Sequence, residues 1–279
     1  MANFIYSAFA DEYSPNVLEQ AQALQKYNIK YVELRNCNGI NVADLSMKQL
    51  KEVKSVFDGH GIGVSSVGSP IGKVKADCDI KEYLSFCRDI FEKAAYLGAK
   101  FCRIFSFYPE GEGFSERETA TVYENLEQIL KLAEKYSIVL CHENEANIYG
   151  ESPQNCLKLL TRLDGLKAVF DMGNFVLDGY DPVDAYFLLQ KHIAYFHIKD
   201  SLSVGAVVPA GKGEAHIAEI VKEHTRFANE DFFVSVEPHL QTFDGLNALV
   251  GKSFDNPYKY PDCKTAFQDD LEKLRGILQ

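Results

Sequence analysis

Eight short apolar runs, rich in β-branched and aromatic residues, recur along the chain with longer amphipathic segments between them. They read FIYSAF (4–9), YVELR (31–35), GVSSVG (63–68), KFCRIFSF (100–107), IVLCHE (138–143), KAVFD (167–171), IAYFHI (193–198) and FFVSVE (232–237). Strands covered on both faces read as continuous apolar runs, and parallel strands need long crossover connections. The alternation therefore predicts parallel strands joined by helices, an α/β chain. Eight such repeats in 279 residues favour a single-domain (β/α)8 TIM barrel over residues 1–279. An open doubly wound sheet is the competing architecture, but no glycine-rich turn follows the first run.

Start and stop signals mark the helices. Pro15 opens PNVLEQAQALQKY, Ser46 precedes MKQLKEVKSVF, and Ser115 with Glu118 makes a capping box. Ser152 precedes Pro153 at a first helical position, and IKEYLSFCRDIFEKAAYLG carries an apolar stripe that stops at Gly98.

A net charge of -11, from 40 acidic against 29 basic residues, disfavours nucleic acid or an anionic membrane as a partner. No apolar run approaches the length that spans a bilayer. The seven cysteines are scattered and never in a CxxC spacing, which argues against a disulfide framework or a zinc-thiolate site and suits reduced thiols in the cytoplasm. MANFIYSAFADE lacks a basic region followed by a long apolar segment, so no export signal is expected.

In a barrel of this kind the reactive groups collect at the C-terminal ends of the strands. Four consecutive strand patterns end in metal-ligand types: Glu143 in CHEN, Asp171 in VFDMGN, His197 in YFHIKD and Glu237 in SVEPH. With neighbouring strands about 4.8 Å apart, these ends share one side of the mouth and can converge on one ion. If Glu143 points inward, the strand period places Cys141, Ser235, Val169 and Tyr195 in the layer below the four. Three carboxylates with one imidazole and no thiolate suit one divalent metal ion, Mn2+ or Mg2+ before Co2+ or Zn2+.

Other residues carry weaker signals. His142 alternates outward and reads as a core histidine; His60, His192 and His224 read as solvated. Glu145 and His239 lie close enough in sequence to touch substrate. Glu33 and Arg103 are charges inside strands, costly unless paired, which predicts an ion pair between them. Lys73 in SPIGKV and Lys212 in PAGKGEAHI sit in glycine-containing loops whose amides could hold a phosphate. The long segment PHLQTFDGLNALVGKSFDNPYKYPDCK after the last strand reads as a lid or as an oligomer contact.

These motifs together resemble the xylose isomerase-like TIM-barrel superfamily, in particular its sugar phosphate isomerase/epimerase members. YVELR, HEN, FDMGN, FHIKD, PAGKGE and VEPH carry the resemblance, which covers nearly the whole chain. It implies a metal held by Glu143, Asp171, His197 and Glu237, a small carbohydrate as substrate, and Glu143 and Glu237 as the acid and base that move a proton next to a carbonyl. Tagatose-type epimerases carry a histidine where this chain has Asn174 and an arginine where it has Ser201, Leu202 and Ser203. Substrate contacts must therefore differ, with Asn174, Lys199, Lys212, Lys73, Glu145 and His239 as the candidates. The superfamily's trinuclear zinc endonuclease needs further histidines that this chain lacks. A dehydratase of a keto-inositol or keto acid on the same site, and a non-catalytic sugar-binding barrel, are the alternative functions; a homo-oligomer is left open.

Overall fold

Each of the eight apolar runs forms a strand of one parallel sheet: β1 (Phe4–Ala8), β2 (Tyr31–Leu34), β3 (Gly63–Gly68), β4 (Phe101–Ile104), β5 (Val139–Glu143), β6 (Lys167–Asp171), β7 (Ile193–Ile198) and β8 (Phe232–Val236). The computed structural model describes residues 2–240 and 257–279. The ladder runs β1-β8-β7-β6-β5-β4-β3-β2, and β1 lies against β2, so the sheet curls into a nearly closed barrel with helices between its strands. The segment after β8 falls largely at 241–256, so the lid or contact expected there lies outside the described residues.

Helices α1 (Val17–Lys26), α2 (Met47–Gly59), α3 (Ile80–Leu97), α4 (Glu116–Glu134), α5 (Pro153–Arg162), α6 (Met172–Leu177), α7 (Pro182–Leu189), α8 (Ile217–Phe227) and α9 (Cys263–Leu278) accompany the strands, and two short hairpins, Asn36–Cys37 with Ile40–Asn41 and Asp200–Leu202 with Ala206–Val208, lie outside the barrel sheet. Ser46 with Gln49 and Ser115 with Glu118 form reciprocal capping boxes, Pro153 takes the first turn of α5, and Gly98 ends α3 in the left-handed conformation. Pro15 does not open α1. Asn16 does, its side chain accepting the amides of Leu18 and Glu19, because an asparagine oxygen satisfies donors that proline cannot reach. Among the described residues no helix is long and apolar enough to cross a membrane.

The fourth strand is shorter than its apolar run. Beyond Ile104 the chain leaves the barrel ladder and pairs with the loop after β3, through Phe105 N to Ile71 O (2.8 Å), Phe107 N to Gly72 O (2.9 Å) and Tyr108 N to Val74 O (2.9 Å). Phe105 and Phe107 are buried there, so apolarity alone did not separate barrel from mouth.

Inside the barrel, Phe101, Cys141, Val169 and Tyr195 pack as one layer, with Val139 and Phe233 against them. This is the phase the strand period requires, and it turns Glu143, Asp171 and His197 inward one step nearer the mouth. Two bulges adjust it: an extra residue at Ser65 shifts β3 against β2, and one at Ala194 shifts β7 against β6. Asp171 lies opposite His197, and His197 opposite Ser235, so β6, β7 and β8 present their ends at one level.

Candidate metal centre

Four side chains from consecutive strand ends meet at the mouth. One ligand atom each of Glu143, Asp171, His197 and Glu237 lies within 4.8 Å of the others, and all four residues are buried. Metal–oxygen bonds of about 2.0–2.6 Å set opposite ligands about 4–5 Å apart, so the spread matches one ion.

The two glutamates are held alike. Arg103 Nη1 donates to Glu143 Oε2 at 2.9 Å, and Arg35 Nη1 donates to Glu237 Oε1 at 2.9 Å. Each carboxylate keeps its other oxygen for the centre: Glu143 Oε1 lies 2.8 Å and Glu237 Oε2 3.4 Å from His197 Nδ1. Both guanidinium groups lie near the buried ring of Phe9, Arg35 at 4.4 Å and Arg103 at 5.6 Å from its centroid. Arg35 is itself fixed by Asp11 and Glu12 in the short turn Ala10–Glu12 after β1.

Asp171 divides its oxygens differently. It caps α6, with Oδ1 accepting the Asn174 amide at 2.8 Å, and Oδ2 faces the ammonium of buried Lys199 at 2.7 Å. The same ammonium is 3.7 Å from Glu237 Oε2. Neither Asp171 Oδ2 nor Glu237 Oε2 has a well-formed hydrogen bond despite full burial. Buried oxygens in that condition are costly; the Lys199 ammonium offsets part of the cost, and a cation closer to both would offset the rest. The residues therefore fit a divalent ion bound by oxygen atoms and one imidazole.

The electrostatics agree. Burial pushes Asp171 up to about 6, with Lys199 pulling against it. Burial would raise Glu143 and Glu237 too, but His197 with Arg103 holds the first well below the usual carboxylate range, and Lys199, His239 and His197 hold the second at about 2. His197 is pushed well above an ordinary imidazole because Glu143, Glu33 and Glu237 outweigh its burial. The three carboxylates of the site are thus balanced by Arg35, Arg103, Lys199 and His197.

The remaining sequence candidates are placed as follows. Lys199 joins the centre. His239 is buried with Nε2 3.5 Å from Glu12 Oε1 and 3.7 Å from Glu237 Oε1, and Glu12, Glu237 and His239 form a second, smaller ligand-type group. Asn174 does not turn its amide to the centre: Nδ2 donates to Asn144 O at 2.8 Å, while Asn144 in turn brackets Asp171 through its backbone. Lys73 and Glu145 form an ion pair with each other at 2.8 Å, and the Lys73 ammonium rests 4.3 Å from the Phe105 ring centroid.

Lys212 is exposed, and its loop is not an open phosphate cradle. The carboxylate of Asp200 accepts the amides of Gly211 (2.8 Å), Gly213 (2.9 Å), Ala215 (3.0 Å) and Ser201 (2.9 Å), so an internal anion already uses the donors. A Cβ at residue 213 would fall inside contact distance of Asp200 Oδ1, which is why glycine stands there.

Two expectations are corrected. Glu33 and Arg103 do not pair with each other: Arg103 takes Glu143 on the next strand, and Glu33 takes His197 and two hydroxyls across the barrel. His224 is not solvated but packed among Tyr186, Phe196 and Phe232, and burial lowers it to about 4. His142, by contrast, sits behind the sheet as expected, bonded to Ser106 Oγ at 2.9 Å. Arg35, Glu12 and Asp11 were missed; the only signal was a run of charges directly after strands β1 and β2, where barrels keep reactive groups.

The family model described as xylose isomerase-like TIM barrel matches residues 21–248. No curated protein sequence matches the chain. Among solved structures, a D-psicose 3-epimerase from Clostridium cellulolyticum H10 is 15% identical, with a TM-score of 0.75 over 99% of this chain and 100% of that one. A probable 3-DHS dehydratase, AsbF, from Bacillus anthracis is 16% identical, with a TM-score of 0.74 over 99% of each chain. The IOLI protein with a binding zinc atom is 17% identical, with a TM-score of 0.73 over 100% of this chain and 98% of that one. At these identities the likeness is one of fold, and the family match over most of the sequence completes it: the chain belongs to the xylose isomerase-like TIM barrel family.

Proposed function

We propose that this protein is a divalent-metal-dependent isomerase or epimerase of a sugar or sugar phosphate, with Glu143, Asp171, His197 and Glu237 as the metal ligands. The observation that carries the reading is the paired anchoring of the two glutamates, each with one oxygen on an arginine and the other facing the centre. A bound divalent ion supplies positive charge where a substrate carbonyl oxygen gains negative charge.

The protein's own groups do the rest. Glu143 and Glu237 are held ionised, so each is able to accept a proton from a carbon next to a carbonyl. Arg103 and Arg35 fix the angle of each carboxylate, and a base held in place adds more to rate than one that must be oriented during reaction. Once one glutamate has taken the proton it becomes an acid. Return of a proton by the other on the opposite face inverts the carbon; return to the neighbouring carbon moves the carbonyl. Lys199, kept charged by Asp171, Glu237 and Glu143 against its burial, is the cation placed to meet a substrate oxygen.

Solvent deuterium should enter the carbon beside the carbonyl of a true substrate only when Mn2+ or Mg2+ is present. Glu143→Gln and Glu237→Gln should each keep the fold and lose this exchange. Full exchange in either variant removes that residue from the proton transfer. Dehydration is the second reading, favoured by the Lys199 ammonium, a proton source for a departing hydroxyl; an enone absorbance without epimer formation would decide for it.

A further inference from the structure

Glu33 has no part in the four-residue cluster, yet its side chain is fully buried in the barrel beneath it. Three groups from two other strands converge on its carboxylate. Tyr195 Oη donates to Oε1 at 2.8 Å, Ser235 Oγ donates to Oε2 at 2.7 Å, and His197 Nε2 lies 3.2 Å from Oε2. The bulge at Ser65 sets Ser66 opposite Glu33, and Ser66 Oγ lies 2.9 Å from Tyr195 Oη, which ties the fourth strand of the network in. A carboxylate just above the apolar layer of Phe101, Cys141 and Val169 costs several kcal/mol to bury, so its partners must justify it.

The imidazole supplies the justification. A carboxylate oxygen has only lone pairs to offer, so the ring nitrogen facing it must carry hydrogen; the opposite tautomer would set two lone pairs against each other across 3.2 Å. Without an ion the same argument puts hydrogen on Nδ1 as well, since it faces Glu143 Oε1 at 2.8 Å; with an ion bound, Nε2 keeps its hydrogen and the one lone pair of the ring falls on Nδ1. That atom is the one turned to Glu143 Oε1 and Glu237 Oε2 at the centre.

We propose that Glu33 is the positioning residue of the metal centre: it locks His197 with Nε2–H toward the barrel interior, so that Nδ1 alone is presented to the ion. The inference rests on the metal reading given above. Tyr195 and Ser235 hold the carboxylate for this contact, and Phe9 packs edge-on to the imidazole at 5.0 Å between centroids. Outer partners of this kind typically change metal affinity by about 10- to 100-fold when removed.

The test measures ion affinity rather than turnover. In Glu33→Gln the amide nitrogen meets either Tyr195 at the Oε1 position or both Ser235 and His197 at the Oε2 position, and the carboxylate charge is lost either way, so the Mn2+ dissociation constant, read by competition with a chelator, should rise by about 10- to 100-fold. A residue that only filled space would lower thermal stability and leave that constant within about twofold of the unaltered protein, which overturns the proposal. A second readout needs no variant at Glu33. In the Zn2+-loaded protein with nitrogen-15 histidine, the resonances of His197, assigned by their loss in His197→Asn, should show a protonated Nε2 and a metal-bound Nδ1. A protonated Nδ1 overturns the proposal even if Glu33→Gln fails to fold. If the unaltered protein binds no ion, the metal reading falls and this inference with it; if it binds and Glu33→Gln binds equally, only the inference falls.

Discussion

Metal binding at this centre must compete with protons, and the competition has a calculable size. Without an ion, burial holds Asp171 at about 6, and three carboxylates hold His197 well above its ordinary value. An ion on Asp171 Oδ2 and His197 Nδ1 requires both atoms deprotonated. Once Asp171 is ionised, the proton still to be displaced is that of His197, and affinity should go on rising with pH for as long as His197 holds it. At about pH 5 Asp171 is roughly nine-tenths protonated, which costs a further factor of about ten, or about 1.4 kcal/mol, and the slope approaches two protons per ion. The linkage to folding has the opposite sign for the ion-free protein. A carboxyl raised in the fold stabilises it at low pH, and that contribution is lost as pH rises through about 6. Added metal should therefore stabilise the fold little at about pH 5 and increasingly above about pH 6. Titration calorimetry in buffers of different ionisation enthalpy gives the proton count directly. Release of close to one proton at high pH, rising toward two at low pH, is expected; an affinity for Mn2+ that does not change with pH would refute the placement of the ion on these two atoms.

Three other outcomes follow from particular contacts. Lys199→Met removes the ammonium that competes for Asp171 Oδ2 at 2.7 Å, so Mn2+ should bind about tenfold or more tightly while turnover is lost; weaker binding would contradict the competition. Asp200→Ala strips four backbone amides of their acceptor, at about 1–3 kcal/mol for each one left buried, and should lower the Tm by about 10 °C or more without altering ion affinity. His224 is lowered by burial from 6.5 to about 4, so the unfolded chain takes the proton first and stability falls as pH drops through that window, by about 3 kcal/mol at most. His224→Phe should flatten urea midpoints across the same range, and an unchanged acid slope would place the sensitivity elsewhere.

The barrel and the meeting of Glu143, Asp171, His197 and Glu237 at its mouth were legible because both follow from period. Apolar runs alternating with helical stripes define strands and crossovers, and the last residue of each run marks the mouth. What was not legible depends on the stagger between strands. Arg103 lies opposite Cys141, which puts Glu143 two residues ahead on the neighbouring strand, while Glu33 reaches β7 and β8 across the interior. The sequence marks Glu33 and Arg103 as buried charges but does not say which partner each finds. The Gly-Lys loop misled for a related reason: its free amides looked like a phosphate site, and the anion that takes them, Asp200, lies on the preceding hairpin strand Asp200–Leu202. His224 was readable in principle, since Ile217, Ile220, Val221 and His224 share the buried stripe of α8.

The central claim is that one divalent ion sits among Glu143, Asp171, His197 and Glu237. Anomalous scattering from a crystal equilibrated with Mn2+ tests it most directly. One peak per chain, within bonding distance of those four residues and of Nδ1 on the imidazole, is the predicted result. A peak at Glu12, Glu237 and His239 instead, or no peak at either group, would contradict it.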